Sequence, residues 1–547
     1  MVHPLLQVEN LTVTFRSGQR AVDQVSFVLY PGTATGLIGE SGCGKTTLLQ
    51  SIFGYTQDAT LSGAVYFNGI NILRLPLGER RRLWWREISI VFANTQRVLN
   101  PVLTVGEQIR EVLRTSKQDL KSVGQLFSSV GLDPSHINSF PHQLSGGMRQ
   151  KVLIAMALGA NPKLLLIDEP TSSIDPLSRG QIRDLLIRLQ QKLGLTCFVA
   201  SHDLPLIEGM TQKTLIMCQG TIVELAGTKE ILDKPNHPYT KGLINSSPQY
   251  YPYKELWGMK PQDAKGNHAG CPFYSRCTQR EKVCASARPL LLEQGGRQIA
   301  CHLGGITTLL RAQDICKSFN KQRALSEVDM EISHGEVVAL LGETGSGKST
   351  LAQVLAGILT PDAGLVSFLG RRIQGHWATS MQGAIQIVFQ DPIAALNERF
   401  SVFAAVEEPL LLLGLPVPTR QELVKTAVEQ LGLGDNLLER KCRELSSGQL
   451  QRVAIARALV MEPKLLIADE ISSFLDPSSQ ANLLRLLKEL QYQKGFSMLF
   501  ITHDAALARK IADTICIIER GRILEKGPAR TVLANPKHQY TRLLLGG

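Results

Sequence analysis

The chain has 547 residues, 44% hydrophobic and 20% charged, with a formal net charge of +11. That length exceeds one compact core and predicts several domains, while the ordinary apolar content excludes disorder over any large part. The basic balance suits anionic small molecules and an anionic membrane surface; nucleic acid is not an expected partner.

From the start, MVHPLLQVENLTV lacks a cationic stretch followed by an apolar core, so no signal peptide is expected. No run approaches the ~18–20 apolar residues that span a bilayer. The longest candidate, Pro409 to Val417, is short and interrupted by Gly414 and Pro416. A role at a membrane would therefore leave the crossing to another chain.

Motifs then recur in order. GESGCGKTT at 39–47 returns as GETGSGKST at 342–350, and QLSGGMRQ at 143–150 as ELSSGQLQ at 444–451. LLLIDEPTSSIDP at 164–176 returns as LLIADEISSFLDP at 465–477, and ASHD at 200–203 as ITHD at 501–504. Lys45 and Lys348 are 303 positions apart; Asp168 and Asp469, like His202 and His503, are 301 apart. So constant an offset means duplication of a whole domain. Each copy alternates short apolar runs with helical stretches, the α/β pattern of a largely parallel central sheet. The expected organisation is a first domain over 1–236, a Pro/Cys-rich extension over 237–303, and a second domain over 304–547.

Gly39 through Thr46 and Gly342 through Ser349 both fit G-x-x-x-x-G-K-[ST]. Gly39, Gly42 and Gly44, with Gly342, Gly345 and Gly347, let the backbone turn tightly and aim its N–H groups at phosphate oxygens. Lys45 and Lys348 are expected on the β- and γ-phosphates, beside Thr47 and Thr350, and Thr46 and Ser349 on Mg²⁺. An apolar strand then delivers two carboxylates in each copy. Asp168 and Asp469 are expected to hold Mg²⁺, and Glu169 and Glu470 to polarise the attacking water as general bases.

LSGGMRQ at 144–150 and LSSGQLQR at 445–452 resemble the signature sequence of ABC ATPases. The resemblance implies P-loop NTPase domains, each with a RecA-like parallel-sheet core, an antiparallel β subdomain and a helical subdomain. It also implies that two such domains pair head to tail. Each ATP then lies between one phosphate loop and the other domain's signature, here Ser145, Gly146 and Gly147 or Ser446, Ser447 and Gly448. A serine before a helical run is also an ordinary N-cap, and the two readings are compatible. By the same resemblance His202 and His503 are the switch histidines that contact the γ-phosphate. Asp175 and Asp476 match the loop that signals across the dimer. Phe15 and Phe319 sit where the family places an aromatic ring under adenine, although LTVTF alternates like a half-buried strand and accounts for Phe15 as core equally well.

The family's Q-loop glutamine, which contacts Mg²⁺, is present in the second copy as Gln390 within IVFQDP. The first copy reads IVFANT, with Ala93 at that position and Gln96 three residues out of register. Ala cannot ligate or hydrogen-bond. Head-to-tail pairing puts Ala93 and Ser447 in one composite site, with Lys45, Asp168, Glu169 and His202. The other keeps the expected groups apart from Met148 in place of glutamine. The expectation is one strong hydrolytic site on the second phosphate loop and one weakened site that mainly holds ATP.

Four of the ten cysteines fall together as Cys271-x5-Cys277-x6-Cys284-x16-Cys301. Without an export signal such a cluster points to metal rather than disulfides. NHPYTKGLINSSP at 236–248 and CPFYSRC resemble the C-terminal extension of the oligopeptide, dipeptide and nickel importer ATPases. In that family four thiolates hold a [4Fe–4S] cluster; spacing alone leaves Zn²⁺ open, and His268 or His302 as a ligand would favour zinc. The resemblance implies an energy-coupling ATPase at the cytoplasmic face of the inner membrane. Its expected partners are two transmembrane permease subunits and an extracytoplasmic solute-binding protein, and its cargo peptides, nickel, metal chelates or related solutes. The contrasting class is a soluble twin-ABC ATPase acting on ribosomes or nucleic acid.

Overall fold

The computed structural model describes residues 3–546 except 57, 94–97, 116–122, 173, 249, 251–268, 321, 374–382 and 474. The expected Gln96 and His268 lie outside the described residues. Two compact units form, one of Met1–Gln249, Asn267–Tyr274 and Lys282–Gly305, the other including Ser275–Glu281 and Ile306–Gly547.

In the first unit the elements that build the site are, in order, β1 (Leu6–Phe15), β2 (Arg20–Leu29), β3 (Ala34–Ile38), α1 (Lys45–Phe53), β4 (Ala59–Phe67), β5 (Ile70–Asn71) and β6 (Ile88–Val91). They continue with α2 (Gly146–Gly159), β7 (Leu164–Asp168), α3 (Pro176–Leu193), β8 (Thr196–Ala200), β9 (Lys213–Cys218), β10 (Thr221–Gly227), α4 (Pro238–Asn245), β11 (Leu292–Gln294) and β12 (Arg297–Ile299). One sheet, β2-β1-β4-β5, is antiparallel. β1 alternates buried and half-buried residues because only one of its faces meets the core. The other sheet runs β11-β12-β10-β9-β3-β8-β7-β6, parallel from β9 to β6. Its central strands are covered on both faces, so ATGLI, LLLID and TCFVA are buried throughout. Leu11, Val13, Leu48, Leu49, Leu166 and Phe198 belong to the core that joins the two sheets.

The second unit repeats the plan. It contains β13 (Thr308–Phe319), β14 (Gln322–Ser333), β15 (Val337–Leu341), α5 (Lys348–Leu355), β16 (Ala363–Phe368), β17 (Arg371–Arg372) and β18 (Ile385–Val388). After these come α6 (Ser447–Leu459), β19 (Leu465–Asp469), α7 (Pro477–Lys494), β20 (Ser497–Thr502), β21 (Thr514–Glu519), β22 (Arg522–Pro528) and α8 (Gln539–Leu544). The sheets are β14-β13-β16-β17 and β18-β19-β20-β15-β21-β22. A separate apolar cluster with Val402, Val406, Val424, Val428, Val453 and Leu459 packs the helices Val402–Leu411 and Val417–Gln430 on α6. Parallel core, antiparallel sheet and helical subdomain are the α/β architecture expected from the sequence.

The Pro/Cys-rich extension contributes to both units. β12 pairs with β10 and widens the first unit's sheet, and Arg297 explains why. Its guanidinium, 8% exposed, bonds the fully buried Glu224 carboxylate at 3.0 Å, so neither charge is left alone in the interior. In the second unit Gln279 Oε1 accepts from the Thr307 N–H at 3.1 Å.

Candidate active site

Both phosphate loops are cut from the same pattern. β3 and β15 each end just before the loop, and α1 and α5 begin at the lysine. Gly44 (φ 108°) and Gly347 (φ 101°) precede the helices in the left-handed region. A Cβ on Gly44 would lie 2.1 Å from the Ala21 carbonyl oxygen, and one on Gly347 2.6 Å from that of Ala324. Only glycine fits there. Lys45 Nζ donates to Gly39 O (2.8 Å) and Glu40 O (3.2 Å); Lys348 Nζ donates to Gly342 O and Glu343 O, both at 2.9 Å. The third proton of each ammonium is left to the neighbouring glutamate or a ligand. Thr47 and Thr350 lie one residue further into their helices.

The strand ends bring the carboxylates to these lysines. Asp168 ends β7 with 2% exposure, and Thr46 Oγ1 donates to its Oδ1 at 3.1 Å. Burial pushes Asp168 up to about 6, against the Thr46 bond and with the help of the neighbouring Glu169 charge. Asp469 ends β19 and is also raised by burial, with the Ser349 hydroxyl opposing; its buried Oδ1 has no hydrogen-bond partner among the described residues. A hydroxyl beside a desolvated carboxylate oxygen without a partner is a hard-oxygen donor set, and it fits Mg²⁺. Thr46 with Asp168, and Ser349 with Asp469, are the residues that would hold it.

Glu169 and Glu470 follow with φ of 44° and 48°, strained positions for a side-chain-bearing residue. They are surrounded differently. Glu169 is 3.6 Å from Lys45, and its Oε2 lies 2.6 Å from His202 Nδ1 and accepts the His202 N–H at 3.3 Å. Burial resists its ionisation, but the His202 bond and the Lys45 charge prevail and hold its pKa below the ordinary value. The same bond raises His202. Glu470 is 3.4 Å from Lys348 and 3.5 Å from His503. Its Oε2 also accepts from Gln390 Nε2 at 3.1 Å and Ser473 Oγ at 3.3 Å. The first copy has Ala93 where Gln390 stands, and its Ser172 donates to the Glu169 carbonyl (2.8 Å) instead of the carboxylate.

The signature serines cap their helices. Ser145 Oγ accepts from the Met148 N–H at 3.2 Å, and Ser446 Oγ from the Gln449 N–H at 3.3 Å. Gln449 returns the bond to the Ser446 N–H at 3.1 Å, a closed capping box that Met148 has no group to make. Gly146 and Ser447 open the two helices. A Cβ on Gly147 would stand 2.8 Å from the Ser178 side chain, whereas at Gly448 the nearest atom, on Leu475, is at 3.5 Å. Asp175 and Asp476 cap α3 and α7. Phe319 is 46% exposed at the end of β13 with Lys317 Nζ 5.7 Å above its ring, while Phe15 is half-buried at the end of β1.

The four-cysteine centre expected from the sequence is not seen as a metal-holding group among the described residues. The Cys271 N–H donates to Cys284 O at 2.8 Å, and burial, with Cys284 and Cys301 adding, pushes the Cys271 thiol up to about 11. Cys277 belongs to the second unit. Among the described residues no three His, Cys, Asp or Glu side chains gather to hold a metal ion, and no disulfide forms. His302 is turned to the Ala287 carbonyl at 2.9 Å.

The ABC transporter family profile matches residues 22–172 and 325–473, which hold the phosphate loop, signature and acidic pair of each copy. The chain belongs to that family. The oligopeptide/dipeptide transporter C-terminal region also matches, at 223–284 and 524–546. Three relatives align over 99% of this ABC protein. They are the oligopeptide transport ATP-binding protein OppD of Mycobacterium tuberculosis (32% identity, 98% of that chain) and the peptidoglycan transport ATP-binding protein YejF of Agrobacterium fabrum (33%, 96%). The third is the glutathione import ATP-binding protein GsiA of Escherichia coli (33%, 89%). The protein is an ABC-type ATPase. No helix among the described residues is long and apolar enough to cross a membrane.

Two groups at the site escaped the sequence reading. Ser473 occupies the same register as Ser172, so nothing in the motif tells their rotamers apart. Tyr239 and Tyr540 reach the phosphate loops from the HPYT element and its echo KHQYT. The repetition of that element after each copy was the available signal.

Proposed function

We propose that this ATPase energises an importer for peptides or related small solutes, with glutathione-like compounds and metal chelates in the same class. Its partners are two transmembrane permease subunits and an extracytoplasmic solute-binding protein, and it sits peripherally on the cytoplasmic face of the membrane. Full-length similarity to three importer-type or peptide-transport ATPases, together with the matched C-terminal region after each copy, carries this reading. The ribosome- or nucleic-acid-directed alternative has no comparable support.

Within the site, the bared glycine backbone and Lys45 or Lys348 bind the phosphates. Thr46 and Asp168, or Ser349, Asp469 and Gln390, would hold Mg²⁺, which would supply positive charge against the charge developing on the phosphates. Glu470 orients and polarises the attacking water, and Gln390 and Ser473 fix its carboxylate. His503 stands next to that carboxylate as the γ-phosphate contact. In the first copy His202 alone draws close to Glu169 Oε2, where the second copy has Gln390 and Ser473 to orient the carboxylate. We therefore assign hydrolysis to the second phosphate loop and ATP retention to the first. Under the head-to-tail pairing read from the sequence, Ala93 and Ser447 share the retaining site. The single supporting contrast is the 2.6 Å His202–Glu169 contact against the Gln390–Glu470 bond.

The [4Fe–4S] centre stays a proposal supported by cysteine spacing and the Cys271–Cys284 backbone bond, and no step is assigned to it. Iron and acid-labile sulfide in anaerobically purified protein test it: about four irons per chain, the count such a cluster requires, supports it, and zinc alone removes it. Transport is tested by reconstituting the chain with its neighbouring permeases in vesicles. Peptide-stimulated ATP hydrolysis and uptake are expected; co-fractionation with ribosomes and no stimulation would contradict the assignment.

A further inference from the structure

We infer that Tyr239 and Tyr540 are positioning residues for the phosphate-loop lysines, each acting through a single peptide group. Tyr239 stands on α4, fully buried. Its hydroxyl accepts the Glu40 N–H at 3.0 Å and donates to the Met217 carbonyl at the end of β9, 3.2 Å away. The Glu40 N–H belongs to the Gly39–Glu40 peptide, whose carbonyl oxygen, that of Gly39, accepts from Lys45 Nζ at 2.8 Å. Phenol and ammonium therefore hold opposite ends of one peptide plane. Tyr540 repeats the arrangement: its hydroxyl accepts the Glu343 N–H at 3.2 Å, and Lys348 Nζ donates to Gly342 O at 2.9 Å.

The supports behind each tyrosine also repeat. The Asn236 and His237 N–H groups donate to the Glu224 carboxylate, both at 2.9 Å; the Lys537 and His538 N–H groups donate to Glu525, both at 3.1 Å. His237 Nδ1 accepts the Tyr239 N–H at 3.1 Å, and His538 Nδ1 the Tyr540 N–H at 3.2 Å. A glutamate on β10 or β22 thus fixes the chain entering a short helix, and a histidine caps that helix. The tyrosine then reaches the loop. A hydrogen bond at the N–H of a peptide makes its carbonyl a better acceptor, because the two ends polarise one another. With Gly39 O and Glu40 O engaging two of the three protons on Lys45, and Glu169 3.6 Å away, the two carbonyls fix where the ammonium stands at the mouth of the loop. Core filling alone would be served by phenylalanine. The half-buried Tyr540 makes the same bond as the buried Tyr239, so the hydroxyl, not the ring volume, is the common element.

The test is steady-state ATP hydrolysis by the purified full-length chain carrying Tyr540→Phe. Loss of one neutral hydrogen bond predicts a KM for ATP raised about three- to tenfold, with kcat within about twofold and the thermal midpoint unchanged. Amide exchange at Glu343 should quicken in the same variant. Tyr239→Phe is read by retention of radiolabelled ATP, expected to fall by a similar factor; if burial makes that variant fold poorly, Tyr540→Phe still decides. An unchanged KM with unchanged exchange at Glu343 would reduce the tyrosines to packing and overturn the inference.

Discussion

The two nucleotide units carry the same loop, the same acidic pair and the same histidine, yet they surround the glutamate with different neighbours. In the first, His202 meets Glu169 at 2.6 Å and no glutamine is available at position 93. In the second, Gln390 and Ser473 hold the Glu470 carboxylate while His503 stands 3.5 Å off. On the proposed division of labour, motif identity sets what a site binds, and the partners of one carboxylate set what it does next.

The largest effects should come from the loops. Gly347→Ala would force a Cβ to 2.6 Å from a backbone oxygen, and nucleotide occupancy and turnover at the second site should fall by about a hundredfold or more. Gly44→Ala carries the closer clash, 2.1 Å, yet should remove bound ATP from the first unit while sparing a substantial part of turnover. Equal losses of turnover would erase the distinction. Next is the glutamine. Gln390→Ala should cost about ten- to a hundredfold in kcat, and Ala93→Gln should raise turnover only a few-fold, because His202 still holds Glu169.

Much of this site could be read before any coordinates. Phosphate binding, Mg²⁺ ligation and water activation each require fixed residue types at fixed spacing, and each motif stands in one contiguous run. The parallel sheet was legible because strands covered on both faces read as unbroken apolar stretches. What could not be read depends on contacts across many residues. Arg297 finds Glu224 and so ties the extension into the first sheet, a pairing that no local pattern announces. Ser172 and Ser473 are identical letters in identical places with different rotamers. The cysteine spacing suggested one metal centre, and among the described residues no group of three metal-ligating side chains is gathered to show it.

A smaller contrast lies in the helix caps behind the loops. His237 is buried and its pKa is pushed down to about 4 by that burial, from an ordinary 6.5. Below about pH 6.5 the unfolded chain binds a proton that the folded one refuses. Stability of the first unit should thus be level above that pH and fall between pH 6.5 and about 4. His237→Asn keeps an acceptor for the Tyr239 N–H and should flatten the slope of the thermal midpoint over this window; His538→Asn, at an exposed position, is the control. The smallest effect belongs to the serines. Ser473→Ala should lower kcat about two- to fivefold, and Ser172→Ala should leave it unchanged.

The most direct test compares Glu169→Gln with Glu470→Gln in ATP hydrolysis by the full chain. The account predicts that Glu470→Gln abolishes turnover, by about a thousandfold or more, while Glu169→Gln retains at least half of it. Equal losses in the two variants would show that both sites hydrolyse and would contradict the division of labour drawn from His202 and Gln390.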